Sequence, residues 1–233
     1  ICDSFFFPFP FFPYKSILKN LKKYNGKIFL SAAGSDSYYW LHSRGNLKYG
    51  PFEETIKFDL GGKEPKQNSL RAFQFNKFIA DNVNGIIPSF YEYQVGYNNH
   101  PNLRRLILQP ISIDEKEIRK NDFDTINILH GISRYGLKGT RHIEKAFQKF
   151  KKKNVNGAKI KITKKLSLKE YIIEINKSSI IVDQCYSQSY GMNAIYALAM
   201  GKIVLSGSEP EAIKAMKVKD CPVINIKPDS EDI

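Results

Sequence analysis

Two short stretches hold residue types suited to binding a phosphate group. The first is "GISRYGLKG" (131–139), in which Arg134 and Lys138 stand just before a predicted helix. Arginine offers paired donors to an anion, lysine offers a point charge, and N–H groups at a helix N-terminus also favour negative charge. The alternative is a pair of exposed loop cations, which are common in a chain with a net charge of +13.

The second stretch is "DQCYSQSYGMN" (183–193), where Asp183 and Gln184 end a predicted strand and Gly191 opens the next helix. Glycine at this point removes the Cβ that would keep a ligand away from backbone amides. The alternative is a turn glycine followed by small residues that pack on a sheet. The glycines at 131, 136 and 139 match neither the dinucleotide fingerprint nor a P-loop.

The elements that position these stretches alternate between strand and helix. Helical spacing of Ile143, Ala146, Phe147 and Phe150 predicts a helix after the first strand, and Ser167 with Glu170 predicts a capping box. Pro210 suits a first helical turn, and a further helix is predicted from about Asn193 to Met200. Strands are predicted over 125–131, 158–163, 178–184, 202–207 and 221–226. This order predicts a parallel sheet in a Rossmann-like domain, with ligands at the carboxyl ends of its strands.

The first half predicts a second, less complete α/β domain. Helices are predicted over 14–26 and 69–82, and strands over 27–34, 85–89 and 104–110, whereas 40–68 receives no assignment. The charged stretch 110–124 is typical of a linker. We therefore predict an N-terminal domain over 1–115 and a C-terminal domain over 116–233.

The composition of the chain is that of a globular protein and limits the classes of partner that it could bind. The chain has 42% hydrophobic and 25% charged residues, as in globular proteins, and lacks an apolar run of transmembrane length. Three isolated cysteines and four scattered histidines indicate a reducing setting without a disulfide framework or metal site. The opening residues do not form a signal peptide. The basic charge favours nucleic acid, an anionic membrane or phosphorylated small molecules as partners.

Together, "GISRYGLKGTRHIEKAF" and "SQSYGMNAIYALAMGKIVLSG" resemble the donor-binding domain of retaining GT-B glycosyltransferases. The first matches that family through Arg134, Lys138 and Gly139. The second matches through Tyr190 and Gly191 and the alanine, glycine and valine positions Ala197, Ala199, Gly201 and Val204. The resemblance implies two Rossmann-like parallel-sheet domains, the first incomplete here. It also implies a chain that begins and ends inside a longer protein.

The resemblance also assigns roles to individual residues. It implies that Arg134, Lys138 and Gly139 bind the donor diphosphate. It implies that donor sugar and nucleotide are bound by Gln188, Tyr190, Gly191, Met192, Asn193 and Tyr196. The two glutamates of the family correspond to Gln188 and Tyr196 in this chain. For Tyr196 two interpretations stand, a contact with the ribose or a position in the core. Ala33 stands at the family's common histidine.

The function that the resemblance implies is hexosyl transfer from a UDP- or GDP-linked sugar to a saccharide or lipid-linked acceptor. It implies retention of anomeric configuration, no metal and no cofactor, and a role in cell-surface polysaccharide synthesis. Asp36 is the candidate acceptor contact or base, and Asp122 with Asp124 forms a charged connection without a metal. We expect a cytoplasmic protein with a peripheral contact at the inner membrane face.

Two alternatives remain at this point. One is a degenerate GT-B relative that binds a nucleotide or protein partner without turnover, which Gln188, Tyr196 and Ala33 favour. The other is a nucleic-acid-binding α/β protein, which rests on charge alone, so we expect no nucleic-acid partner.

Overall fold

The structure is a computed structural model that describes residues 4–7, 23, 26–34, 36–112, 118, 121 and 125–233. The chain divides into two compact units: Ile1–Lys48 with Glu64–Gln109, and Tyr49–Lys63 with Pro110–Ile233. The helix predicted over 14–26 and the pair Asp122 and Asp124 lie outside the described residues. The predicted division between residues 115 and 116 also falls outside them and stays a prediction.

The first unit contains a parallel sheet whose described strands follow the order β1-β2-β3. These strands are β1 (Ser4–Phe7), β2 (Lys27–Ala32) and β3 (Gly85–Pro88). Helix α1 (Leu70–Asp81) begins at Ser69, whose hydroxyl accepts a hydrogen bond from the Ala72 amide, and α2 (Tyr91–Gly96) follows β3. The core of this unit packs around Ile28, Leu30, Ile79, Ile86 and Tyr97.

The prediction of a strand over 104–110 is wrong, because these residues form no ladder of hydrogen bonds with a neighbouring strand. Leu103 makes a single bridge to Ile86, and the Arg104 and Ile107 amides donate to the carbonyls of Ile86 and Pro88. The two donor amides are three residues apart, whereas the amides of a strand that bond to one neighbouring strand are two residues apart. The segment therefore lies along β3 without extending the sheet.

The stretch that the sequence left unassigned forms short helical turns. In the first unit these are Tyr39–Ser43, Arg44–Asn46 and Lys66–Asn68. In the second unit they are Phe52–Glu54 and Thr55–Asp59. Two of these turns, Tyr39–Ser43 and Thr55–Asp59, are wide π-type turns, so their apolar residues do not follow the 3.6-residue period that sequence patterns detect.

The second unit is a parallel five-stranded sheet, as predicted, with helices between its strands. The strands are β4 (Ile126–Ile132), β5 (Ala158–Lys164), β6 (Ile180–Val182), β7 (Ile203–Ser206) and β8 (Val223–Asn225). The helices are α3 (Tyr135–Lys138), α4 (Thr140–Lys152), α5 (Leu168–Asn176), α6 (Met192–Ala199) and α7 (Pro210–Met216). No helix in the described part of the chain has the length and apolarity needed to cross a membrane.

Sequence patterns in this unit correspond to observed contacts. Ile143, Ala146 and Phe147 are buried on one face of α4. Full burial of an isoleucine or phenylalanine side chain stabilises a fold by about 1.5–3 kcal/mol. The predicted capping box is confirmed, since Ser167 and Glu170 satisfy each other's backbone N–H groups at the start of α5.

The strand order of the second sheet is β5-β4-β6-β7-β8. After β4 the chain moves outward to β5, then crosses back to place β6 on the other side of β4. In doubly wound sheets this reversal separates the loops after the two inner strands and leaves a crevice at their carboxyl ends. The loops after β4 and β6 are therefore the ones expected to surround a ligand.

Candidate functional site

A cleft of ≈ 610 Å³ lies at the carboxyl ends of β4, β5 and β6. Its walls come from the loop after β4 (131–138), the loop after β5 (163–168), the end of β6 (183–184) and the start of α6 (191–193), with Tyr171 of α5 beside them. This volume is within the range of small-molecule sites. All of these residues belong to the second unit.

Arg134 lines this cleft and follows shortly after the end of β4. It precedes α3 with an extended backbone, its side chain is exposed, and it lines the cleft. Within the described parts of the chain no carboxylate pairs with it. Its guanidinium is therefore available to an anionic ligand.

Lys138 also lines the cleft, but its ammonium is bound by a buried carboxylate. The Lys138 Nζ lies 2.5 Å from Asp183 Oδ1, and the two side chains are only 9% and 1% exposed. Asn193 donates to the same oxygen at 2.6 Å, and the Ser206 hydroxyl donates to the other at 3.4 Å. Asp183 thus ties the loop after β4 to the start of α6 and neutralises the charge of Lys138.

The N-terminus of α6 faces the cleft through Gly191, Met192 and Asn193. No side chain caps this helix. The first N–H groups of a helix have no intrahelical partners and carry partial positive charge. A Cβ added to Gly191 would meet only Gln184 Nε2, at 3.5 Å, so the position is open toward the cleft.

Lys165 is a cleft residue that the sequence interpretation missed. It is exposed, lines the cleft beside the end of β5, and has a left-handed backbone with φ of 49°. Its signal was available, since "KK" at 164–165 directly follows a predicted strand. Applying the strand-end rule to the loops after the first, second and third strands would have included it.

The wall next to Lys165 is apolar and was also missed. Leu166 and Leu168 are 38% and 63% exposed at the cleft, and Tyr171 lies between them and β4. The Tyr171 ring packs on Gly131, where an added Cβ would lie 2.4 Å from a ring carbon. Burial raises the pKa of the Tyr171 hydroxyl, which therefore stays neutral.

Several predicted ligand residues do not line the cleft. Gln188 is 3% exposed and its amide donates to the Tyr49 carbonyl at 3.2 Å. Tyr190 is also buried, and Tyr196 is half-buried on α6, one turn beyond the cleft residues. The cleft thus gathers Arg134, Lys138 and the start of α6, while the two positions that hold acids in the resembled family face elsewhere.

Gly139 is a packing residue. It joins α3 to α4 with φ of 69°, and an added Cβ would lie 2.3 Å from Cys185 Sγ. Both facts require glycine without involving a ligand. Gly136 is similar, since its Cβ would lie 2.1 Å from the carbonyl oxygen of Glu54. Close packing therefore accounts for both glycines that flank Lys138.

The segment 49–63 is what packs against that loop. Asp59 accepts hydrogen bonds from the amides of Gly136 and Leu137 at 3.1 and 2.9 Å, which caps α3. Arg141 of α4 pairs with Glu54 at 2.7 Å. This segment therefore fixes the backbone that presents Arg134 to the cleft.

Asp36, the candidate acceptor contact, lies in the first unit and is 2% exposed. Its carboxylate accepts from the Tyr39 amide and from the Tyr97 hydroxyl, each at 2.8 Å. Burial raises the pKa of Asp36 to about 6 despite these hydrogen bonds. In the structure Asp36 is a helix-capping residue whose carboxylate is enclosed by protein.

The described residues contain no group of three or more His, Cys, Asp or Glu side chains that could hold a metal ion. His130 is buried beneath the cleft between the Val182 carbonyl and the Thr140 hydroxyl. Burial and the nearby charge of Lys138 lower its pKa to about 4, so it is neutral near pH 7.

No protein-family profile and no curated protein sequence matches this chain. Solved structures do match its backbone. The crystal structure of TarM superposes with a TM-score of 0.52 over 88% of this chain and 41% of the TarM chain, at 14% sequence identity. The fold is of the GT-B type. The chain spans about two fifths of TarM, so the likeness concerns the fold alone.

Two further structures match less well. Sucrose-phosphate synthase from Thermosynechococcus elongatus has a TM-score of 0.47 at 11% identity, over 93% of this chain and 65% of that one. UDP-GlcNAc 2-epimerase from Methanocaldococcus jannaschii, in complex with UDP-GlcNAc and UDP, has a TM-score of 0.40 at 11% identity, over 93% and 69%. Among these three structures, TarM alone exceeds a TM-score of 0.5.

Proposed function

We propose that this chain is part of a GT-B glycosyltransferase that uses a nucleotide-sugar donor. The observation that carries the proposal is the charge of the cleft at the switch point of the second sheet. Arg134, Lys138 and Lys165 are its lining cations and Asp183 is its lining carboxylate, a net charge of two positive. The diphosphate of a nucleotide sugar is esterified at both ends and carries one negative charge on each phosphate, which matches the charge of this cleft.

Donor binding would use the exposed cation and the helix terminus together. Arg134 would contact phosphate oxygens through its paired N–H groups, and the uncapped start of α6 would contribute backbone amides. The Gln184 and Asn193 amides also line the cleft, and such neutral groups suit sugar hydroxyls. Gln188 is buried on the Tyr49 carbonyl, so we assign the sugar contact to Gln184 in its place.

The chemistry would be electrostatic. As the bond between the anomeric carbon and the diphosphate breaks, negative charge accumulates on the leaving phosphate oxygen. The acceptor hydroxyl bonds to the anomeric carbon and passes its proton to that phosphate oxygen. Fixed cations and helix N–H groups aimed at the developing charge stabilise such a transition state. Retention of configuration, independence of metal, and a saccharide or lipid-linked acceptor in polysaccharide synthesis are parts of this proposal that come from the sequence resemblance.

We extend the proposal to a cytoplasmic protein with peripheral contact at a membrane face. Its support is the net charge of +13, because basic surfaces are attracted to anionic leaflets.

A second candidate function is nucleotide binding without turnover. Its support is the cleft lining itself, in which Asp183 is the lining carboxylate and is bound to Lys138 and Asn193. Such a carboxylate is not free to act as a base. A chain of this kind would bind the nucleotide and transfer nothing.

Calorimetry with UDP, GDP and their sugars tests both candidates, followed by assays of sugar transfer and donor hydrolysis by the full-length protein. Binding with turnover supports the enzyme, and binding without transfer or hydrolysis supports the second candidate. Absence of binding to every nucleotide rejects both.

A further inference from the structure

The three cations of the cleft differ in whether a carboxylate of the protein already neutralises them. This difference decides which of them can bind the diphosphate of the donor in the proposed function. Lys138 is one of two cations that the sequence resemblance assigns to the diphosphate. In the structure its ammonium is bound at 2.5 Å by Asp183, and both groups are buried. An anion approaching Lys138 would therefore meet a neutral pair.

Arg134 and Lys165 differ from Lys138 in this respect. Both are exposed and line the cleft, one after β4 and the other after the neighbouring β5. Among the residues that the structure describes, neither forms an ion pair or side-chain hydrogen bond. They carry the two uncompensated positive charges of the cleft.

We infer that Arg134 and Lys165 together form the diphosphate-binding pair, and that Lys138 serves as a positioning residue through Asp183. The inference rests on the proposed function for the identity of the ligand. It assigns the second phosphate contact to a loop that the sequence resemblance does not include. Two monovalent cations on adjacent strand ends match the two negative charges of a diphosphate that is esterified at both ends, as in a nucleotide sugar.

The backbone at Lys165 is held in an uncommon conformation beside the end of β4. Its φ of 49° lies in the left-handed region, which glycine adopts freely and L-residues other than asparagine and aspartate seldom adopt. Such strain persists where the surrounding structure enforces it. Here the Lys165 amide donates to the Ile132 carbonyl at 3.3 Å, which fastens the loop beside the end of β4.

The left-handed backbone also provides a variant that should fold well. Lys165→Gly removes the cation and relieves the backbone strain, so the melting temperature should stay equal or rise. Lys217→Gly is a matched control. Lys217 is exposed, has φ of 57°, ends α7 and does not line the cleft. The two variants change charge and backbone freedom in the same way.

Inorganic pyrophosphate is the probe, measured by calorimetry at low ionic strength. We expect pyrophosphate to bind wild type and Lys217→Gly equally, and Lys165→Gly about tenfold or more weakly. Lys165→Arg, which restores the charge, should bind within about threefold of wild type. The inference is overturned if wild type does not bind pyrophosphate, or if Lys165→Gly binds it as well as Lys217→Gly does.

Nucleotide binding separates this inference from the proposed function. A chain that binds pyrophosphate through Lys165 but binds no nucleotide or nucleotide sugar would keep the inference and reject the function. Tight binding of UDP or GDP that is equal in Lys165→Gly and Lys217→Gly would keep the function and reject the inference.

Discussion

The ammonium of Lys138 and the carboxylate of Asp183 form a buried ion pair 2.5 Å long at the floor of the cleft. The two residues follow different strands, and Asn193 at the start of α6 donates to the same carboxylate oxygen. One pair therefore joins three segments of the site. The stability and the binding properties of the cleft should both depend on it.

Replacing one partner should leave the other as an unpaired buried charge. We expect Lys138→Met or Asp183→Asn alone to destabilise the second unit by about 3–5 kcal/mol, as for other buried pairs. The double variant should lose less than the sum of the two. Hydrogen exchange of the β6 amides measures this, and strictly additive losses would show that the two side chains do not interact.

Asp59 should stabilise α3 through its two backbone contacts. Asp59→Ala removes a helix cap, and the expected loss is about 1 kcal/mol of unfolding free energy. Asp220→Ala, at an exposed position, is the control and should be neutral. Chemical denaturation of the two variants compares them. Equal stability would mean that the two hydrogen bonds of Asp59 do not stabilise the loop that carries Arg134.

Gly191 and Gly139 should respond oppositely to alanine. Gly191→Ala places a methyl group in open cleft space, so stability should hold while nucleotide affinity falls about tenfold, or about 1.4 kcal/mol. Gly139→Ala meets Cys185 Sγ and a left-handed backbone, so it should destabilise the fold by more than about 1 kcal/mol. Thermal melts and calorimetry distinguish them. Unchanged affinity in Gly191→Ala would remove α6 from the binding site.

Asp36 should make stability depend on pH. Its folded pKa of about 6 lies above the ordinary value of 3.8, so the folded state binds more protons between these values. Stability should therefore fall as pH rises from about 4 to about 6, by roughly 3 kcal/mol. Asp36→Asn cannot titrate and should lack this fall.

The single tryptophan, Trp40, is buried in the first unit and reports its unfolding by fluorescence. Denaturation of wild type and Asp36→Asn should be compared at several pH values. The lowered pKa of His130 makes stability rise with pH, and this contribution is the same in both proteins, so it cancels in the comparison. Parallel pH profiles for the two proteins would contradict an elevated pKa at Asp36.

The sequence predicted the second unit well because its elements repeat a clear local pattern. Alternating strands and helices, the apolar face of α4 and the capping box at Ser167 are all set by residues close together in the chain. The strand β1 was missed because "SFFF" shows no alternation and prolines follow it. The turns within 39–68 were missed because π-type turns do not have the ordinary helical period.

The site was predictable where a general rule of parallel sheets applies. Arg134, Lys138 and the residues from Gly191 to Asn193 follow strand ends, and the structure brings them to one cleft. The partner of Lys138 was not predictable, since Asp183 is 45 residues away and their contact depends on the strand order. Lys165 was missed because the strand-end rule was not applied to the loop after the second strand, where "KK" stands at 164–165.

The most direct test of the account is calorimetry of UDP and GDP binding to wild type, Arg134→Ala and Arg71→Ala. Arg71 is an exposed arginine of the first unit and is the matched control. Charge-assisted hydrogen bonds contribute about 1.5–3 kcal/mol. We predict that one of the two nucleotides binds wild type and Arg71→Ala alike, and binds Arg134→Ala at least about tenfold more weakly. Equal binding by all three proteins, or no binding by any of them, would contradict the assignment of this cleft to a nucleotide-sugar donor.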